Sequence, residues 1–299
     1  MNKVLHVFSF LFAIMVLYSC ESSRAENGDL LNGIDGTGTP PGTGGGSSTD
    51  KVLKKVNIVD SEGISSVFTY NYTAGKLTTA HFEGDGEKTD YTLSYENNLL
   101  SKLTILQDDG STELTTTLNL TYNGGKVAMA SGNMTGGGQE LMRNETNFLY
   151  DSTGKLKKVD TVMLMEDLDN PGTYKPATKM VSDLLFTGNN LSQWKMTMTT
   201  IAPPPIVIPP IVFDIKLSNY DSNKNPWATL PVEFTIAGGH FMTGTNAFTG
   251  LSMNNYKTVS VTSSGGNDGG TYAYTYDSAG YPTKAVSAEG TLTFEYIKL

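Results

Sequence analysis

The chain has 299 residues, with 30 Asp and Glu against 21 Lys and Arg, a formal net charge of −9, one Cys and 3 His. With no basic run longer than Lys54-Lys55 or Lys157-Lys158, it lacks the clustered cations that track phosphates, so nucleic acid is not an expected partner. One Cys makes no intramolecular disulfide, and only 17% of residues are charged while 32 are Gly and 15 are Tyr. That composition favours short strands and tight turns over helices.

Residues 1–19 read as a signal peptide. Lys3 gives a positive start, the apolar run from Val4 to Leu17 follows, and the run is shorter than the ~20 residues a spanning helix needs. It ends in Leu17-Tyr18-Ser19-Cys20, which resembles the bacterial lipobox, with Tyr18 where a small residue is common. The resemblance implies that Cys20 is the first mature residue and carries acyl chains such as palmitate. Each buried CH₂ contributes about 0.8 kcal/mol, so two or three chains anchor a protein that does not span the bilayer. Cys20 is then an attachment point and not a catalytic thiol. Residues 20–50 continue as a flexible linker with eight glycines between Gly28 and Gly46, too poor in apolar content to repay the entropy of ordering. A Gly-rich coil of that length reaches about 30 Å. No strand precedes the glycines and no Gly-Lys-Ser/Thr follows, so a phosphate loop is rejected.

From residue 51 to 299 one unit recurs: an alternating run ending in an aromatic, a polar turn with Gly or Asn, and a second alternating run. Its copies end at Tyr72, Tyr95, Tyr122, Tyr150, Phe186, Tyr220 and Tyr276, with turns such as Gly75-Lys76, Asn97-Asn98, Gly124-Gly125-Lys126 and Gly154-Lys155. Alternation places Phe68, Tyr70 and Tyr72 on one sheet face. Gly and Asn supply the positive φ of a hairpin, and the tyrosine packs over the turn with its hydroxyl on water or a backbone carbonyl. Seven hairpins imply roughly fourteen short strands in one all-β domain, an antiparallel up-and-down meander that curls or closes like a barrel. Gln139 to Asn144, the nearest helical candidate, reads equally well as strand.

The Tyr-Asp-x-x-Gly-Lys-Leu copies resemble YD/Rhs-type repeats. A closer likeness is carried by Tyr220-Asp221, Asn225-Pro226-Trp227, Asn254-Asn255, Tyr274 to Asp277 with Gly280-Tyr281-Pro282, and the closing Thr293 to Tyr296. These resemble the C-terminal pattern of a family of uncharacterised Bacteroidetes lipoproteins with a porin-like fold. The resemblance implies a fold and a cell-envelope, outer-membrane location; it brings no catalytic residues. The alternating runs last five or six residues where a spanning strand needs about 9–11, so the domain is expected to be soluble and tethered rather than embedded.

Motifs for chemistry are scarce. No His-x-x-x-His or Gly-x-Ser-x-Gly occurs, and His81 and His240 are expected as ordinary strand or turn residues. Glu166, Asp167, Asp169 and Asn170 could give calcium a few oxygens, but turn chemistry explains them; no metal or cofactor is expected. The segment 201–213 holds Pro203, Pro204 and Pro205, then Ile206, Ile208 and Ile211. It is read either as a protruding interaction loop or as a loop folded over a sheet edge or barrel mouth. Trp194 and Trp227, with the tyrosines, are candidates for a sugar-stacking platform, although a β core is the commoner use of such rings.

Three functions follow. The first is a non-catalytic binding module for a glycan or an envelope protein. The second is a carrier of an apolar ligand inside the curled sheet, with the proline segment as lid. The third is a glycan-active enzyme using two facing carboxylates.

Overall fold

The structure, a computed structural model, describes residues 51–299 except 168, 203–204 and 240–247. The signal peptide, the lipidated Cys20 and the linker lie outside the described residues, as do Pro203, Pro204 and His240. The strands run in chain order as β1 (Lys51–Asp60), β2 (Ser65–Thr73), β3 (Lys76–Gly84), β4 (Glu87–Glu96), β5 (Leu99–Asp108) and β6 (Glu113–Asn123). Next come β7 (Lys126–Gly136), β8 (Gln139–Tyr150), β9 (Leu156–Glu166), β10 (Tyr174–Thr187), β11 (Asn190–Thr200) and β12 (Ile211–Ser218). A helix, α1 (Val232–Gly238), precedes β13 (Thr258–Ser263), β14 (Gly266–Thr271), β15 (Ala273–Tyr276), β16 (Pro282–Ser287) and β17 (Gly290–Lys298). All form one antiparallel sheet, and β1 pairs with both β2 and β17, which closes the ring. β14 and β15 are successive parts of one run broken at Tyr272; the first pairs with β13 and the second with β16.

The expected meander is present with 17 strands rather than fourteen. Six of the seven repeated units sit at a hairpin, and the remaining one, at Tyr220, leads from β12 into the long segment that precedes β13. The first twelve strands run from 8 to 14 residues, longer than the alternating apolar runs suggest. Thr116, Asn144, Thr146, Thr161 and Ser182 stand in the inward rows and are buried, so the apolar alternation stops before the strand does.

Length therefore does not separate this barrel from a membrane barrel; polarity does. On β4 the buried row is Thr89, Tyr91 and Leu93, and the outer row is Lys88, Asp90, Thr92 and Ser94. On β8 the outer row is Arg143, Glu145 and Asn147 against buried Met142, Asn144, Thr146 and Phe148. A lipid-spanning barrel carries the apolar row outside. Here the apolar rows of these strands are inside, and their outer rows are largely polar.

The repeat has a physical basis at the end of the barrel where its turns lie. The Tyr72 hydroxyl donates to the Leu53 carbonyl, Tyr95 to Leu77 and Tyr122 to Leu100, each at 2.8 Å. Tyr150 donates to Val127 at 2.9 Å, Tyr296 to Pro282 at 2.8 Å, and Tyr220 to Leu191. In each case the tyrosine ends one strand and clasps the first residues of the strand before it. The turn lysine completes the arrangement: Lys76 lies 4.9 Å from the Tyr95 ring centre and donates to Asn98. Lys126 lies 5.0 Å over Tyr150 and donates to the Gly154 carbonyl. At the fifth copy Phe186 replaces tyrosine; Lys155 still covers the ring at 5.8 Å, without the hydroxyl bond.

Burial pushes the Tyr95 and Tyr150 phenols up to about 12 and raises those of Tyr72, Tyr122 and Tyr296 as well. An unfolded tyrosine ionises near pH 10. The native state keeps these protons when the unfolded chain has released them, so stability is complete below about pH 10 and is lost as pH rises through 12. Urea unfolding at half-unit steps from pH 9 to 12 should show this fall, and a Tyr95→Phe, Tyr150→Phe double variant should show a shallower one. At the β2–β3 turn, Ala74 holds φ +50° beside Gly75 at +79°, a pair suited to a hairpin but unfavourable for a side chain with Cβ. Ala74→Gly should raise the unfolding free energy by about 1 kcal/mol in the same assay.

Candidate functional site

A ring of this many strands is wide enough to leave a channel. At the tyrosine end it is filled by the chain between β12 and β13. Phe234 of α1 meets Tyr91 edge-on at 5.6 Å, Phe248 meets Trp194 at 5.1 Å, and Trp227 meets Phe294 at 6.1 Å. The Leu53 amide donates to Thr229 Oγ1 and the Leu191 amide to Ser252 Oγ. The insert therefore touches β1, β4, β11 and β17 from within and acts as a plug.

Asp221 ties the plug to the wall. Its Oδ1 accepts from the backbone amides of Asn223 at 2.9 Å and Asn255 at 3.2 Å, while Oδ2 accepts from the Tyr276 hydroxyl. Burial, and then that hydrogen bond, raise the Tyr276 phenol. Asn225 donates to the carbonyls of Thr249 and Ser252 and accepts from the Trp227 amide. Asn254 donates to the Asn223 carbonyl and accepts from Asn190. The residues that carry the family resemblance thus converge on one hydrogen-bonded assembly. Beside it, Lys51 joins Asp277 at 2.6 Å and Lys224 donates to the Tyr281 hydroxyl, binding the start of the barrel to its last hairpin.

Between the plug and the inner face of β15–β17 lies a pocket of about 40 Å³. The rings of Trp227, Tyr256, Tyr272, Tyr274 and Phe294 wall it, with the amides of Asn225 and Asn255. Tyr256 and Tyr272 meet edge-on at 5.6 Å, and Tyr272, Tyr274 and Tyr276 follow one another at 6.2 and 6.1 Å. No carboxylate lines the pocket, so it lacks the facing pair that glycoside hydrolysis requires. Burial raises the Tyr274 phenol, which stays a neutral hydrogen-bonding group at any ordinary pH.

The inner wall differs around the ring. On β4 to β9 the inward rows are largely buried, with Gly132, Gly136 and Met165 half-exposed. On β11 to β13 the register puts Trp194, Met196, Met198, Ile211, Phe213, Ile215, Val259 and Val261 on the same inward face, and all are half-exposed. The interior is open to solvent along this apolar wall.

The two candidate platform residues separate. Trp227 is 8% exposed and walls the aromatic pocket. Trp194 points into the barrel from β11, donates from Nε1 to Ser182 Oγ at 2.9 Å, and meets Phe248. They do not share an exposed face. Of the proline segment, Pro205 and Ile206 are exposed, Val207 is 89% exposed, Ile208 is exposed at 42%, and Ile211 opens β12. The aliphatic tip faces solvent at the end opposite the tyrosines. Asp167 is paired to Lys175 at 2.6 Å and accepts from the Asn170 side-chain amide. Among the described residues no group of three His, Cys, Asp or Glu could hold a metal. His81 sits on the outer wall beside Asp90. Sequence reasoning missed Tyr256 and Phe294 as pocket walls, and the half-open apolar wall; the Met196 and Met198 alternation was the available signal.

A nearly closed antiparallel barrel with an apolar inner wall and an internal plug is the class this fold defines. No family model matches the chain, and no curated protein matches it. A solved porin-like protein from Bacteroides vulgatus matches in fold with a TM-score of 0.52 at 14% identity, covering 84% of this chain and 100% of that one. A second porin-like protein, from Bacteroides uniformis, gives a TM-score of 0.47 at 12% identity, covering 82% and 98%. The chain is thus similar in fold to the porin-like protein of Bacteroides vulgatus, the fold that its C-terminal motifs resemble.

In a Trp194→Phe variant all indole emission comes from Trp227. Acrylamide should quench that emission at a rate well below that of the free indole, and a rate equal to it would mean that the pocket wall is open.

Proposed function

We propose that the chain is a lipoprotein of the bacterial cell envelope and a non-catalytic binding protein that holds a small, largely apolar ligand inside its barrel. Acylated Cys20 would tether it to the outer membrane, with residues 21–50 as spacer. One observation carries the ligand reading: inward-facing Met196, Met198, Phe213 and Ile215 are all half-exposed where the matching rows of β4 to β9 are largely buried. Apolar surface left accessible inside a scaffold that has buried the rest marks a binding cavity. The aromatic pocket bounds the same interior, and the segment 201–210 joins the far ends of the two strands that form the wall. This favours the carrier over a glycan platform, because the two tryptophans do not share one exposed face.

Native mass spectrometry of the barrel purified from a bacterial envelope, beside analysis of a solvent extract, tests the reading. A co-purifying apolar molecule that is lost from Phe213→Ser and Tyr272→Ala variants is expected. A clean apo mass, with no uptake when fatty alcohols or fatty amides are added, would overturn it.

A further inference from the structure

The buried side of the lumen contains an unanswered polar group. Asn144 on β8 is 1% exposed, and neither its Oδ1 nor its Nδ2 has a hydrogen-bond partner. Thr116, two strands away on β6, is fully buried with its Oγ1 equally unpartnered. Across the ladders Asn144 faces Gly132, which has no side chain, on one side and Met163 on the other. Met134 lies opposite Met142, and Met142 opposite Met165. Thioethers accept hydrogen bonds weakly, so this lining does not answer the amide. Burying an amide without a partner is unfavourable, and in native proteins such a group is met by water, ion or ligand.

The next inward row along β8, two residues from Asn144, reaches the open wall. That row runs from Thr146 of β8 through Thr161, Met180 and Met198 to Ile211 at the foot of the proline segment. Met180 is buried, and Met198 and Ile211 are half-exposed. Flexible, polarisable methionines along such a path suit an aliphatic chain of variable shape. The buried residues of β6 to β9 are all uncharged, so an ionised head would find no countercharge there.

We infer that Asn144, assisted by Thr116, seats the head of the bound ligand, which is an aliphatic amphiphile with an uncharged head that both donates and accepts: an amide, a hydroxyl or a protonated carboxyl. This rests on the interior being the binding site. The amide supplies one acceptor and two donors, a match for such a head and a poor one for a bare hydrocarbon.

The test uses the full-length lipidated protein purified from the envelope, with wild type, Asn144→Leu and Thr116→Val compared by native mass spectrometry and by extract analysis. Competition is measured with a fatty amide, a fatty alcohol and the alkane of equal length as probes. Wild type should carry a neutral-headed amphiphile and prefer the amide and alcohol over the alkane. Asn144→Leu should lose about tenfold in affinity for the headed probes, one buried hydrogen bond's worth, and none for the alkane. Equal binding of headed probe and alkane, or an unchanged Asn144→Leu, overturns the inference and leaves the carrier reading intact. No probe bound by wild type, with Asn144→Leu only raising the melting temperature, would mean ordered water alone and would overturn both. Should Asn144→Leu fail to fold, Thr116→Val must show the same loss for headed probes only, or the inference falls.

Discussion

The pairing of β1 with β17 as well as β2 is the constraint on which the rest depends. It joins the two ends of a sheet of 17 strands, and unpaired edges are the usual liability of a long meander. Closure at that strand number creates a problem of its own, because the ring encloses more space than its own side chains fill. The chain between β12 and β13 supplies the missing volume with Phe234, Phe248 and Trp227, each set against a different arc of the wall. Where the plug stops, apolar wall remains uncovered.

The tyrosine clasps answer a second difficulty, which is register. A strand that slips by one residue exchanges its buried and exposed rows. Each clasp hydroxyl reaches one particular carbonyl on the preceding strand, so a slip breaks the hydrogen bond at the same time as it inverts the faces. The lysine over the ring then links a clasp to the next hairpin, as Lys76 does with Tyr95 and Lys126 with Tyr150. Register is passed from unit to unit without a long-range device.

Much of this was legible in the chain because hairpin chemistry is local. Gly124-Gly125 and Asn97-Asn98 both take positive φ at their turns, and six of the seven aromatic-turn copies marked real hairpins. Strand lengths were not legible, since Thr116, Asn144 and Thr161 interrupt the apolar rows from inside the barrel. The site was legible only in pieces. Trp227 and the tyrosine run were visible as residues, but Tyr256 and Phe294, about 29 and 67 positions from Trp227, meet it only because the plug folds into the lumen. Closure itself also leaves no trace in periodicity, because β1 and β17 stand at opposite ends of the domain and neither carries a hairpin signal for the other.

One feature of the closure has a mechanical consequence. Lys51 leaves the barrel at its plugged end, and β1 runs inward from there between β2 and β17. A pull on the chain before Lys51, directed away from that end, acts along the axis of β1. Both ladders are then loaded in shear, and their hydrogen bonds resist together instead of opening one after another like a zip. The strand by which the domain would be held is the one that its architecture grips on both sides.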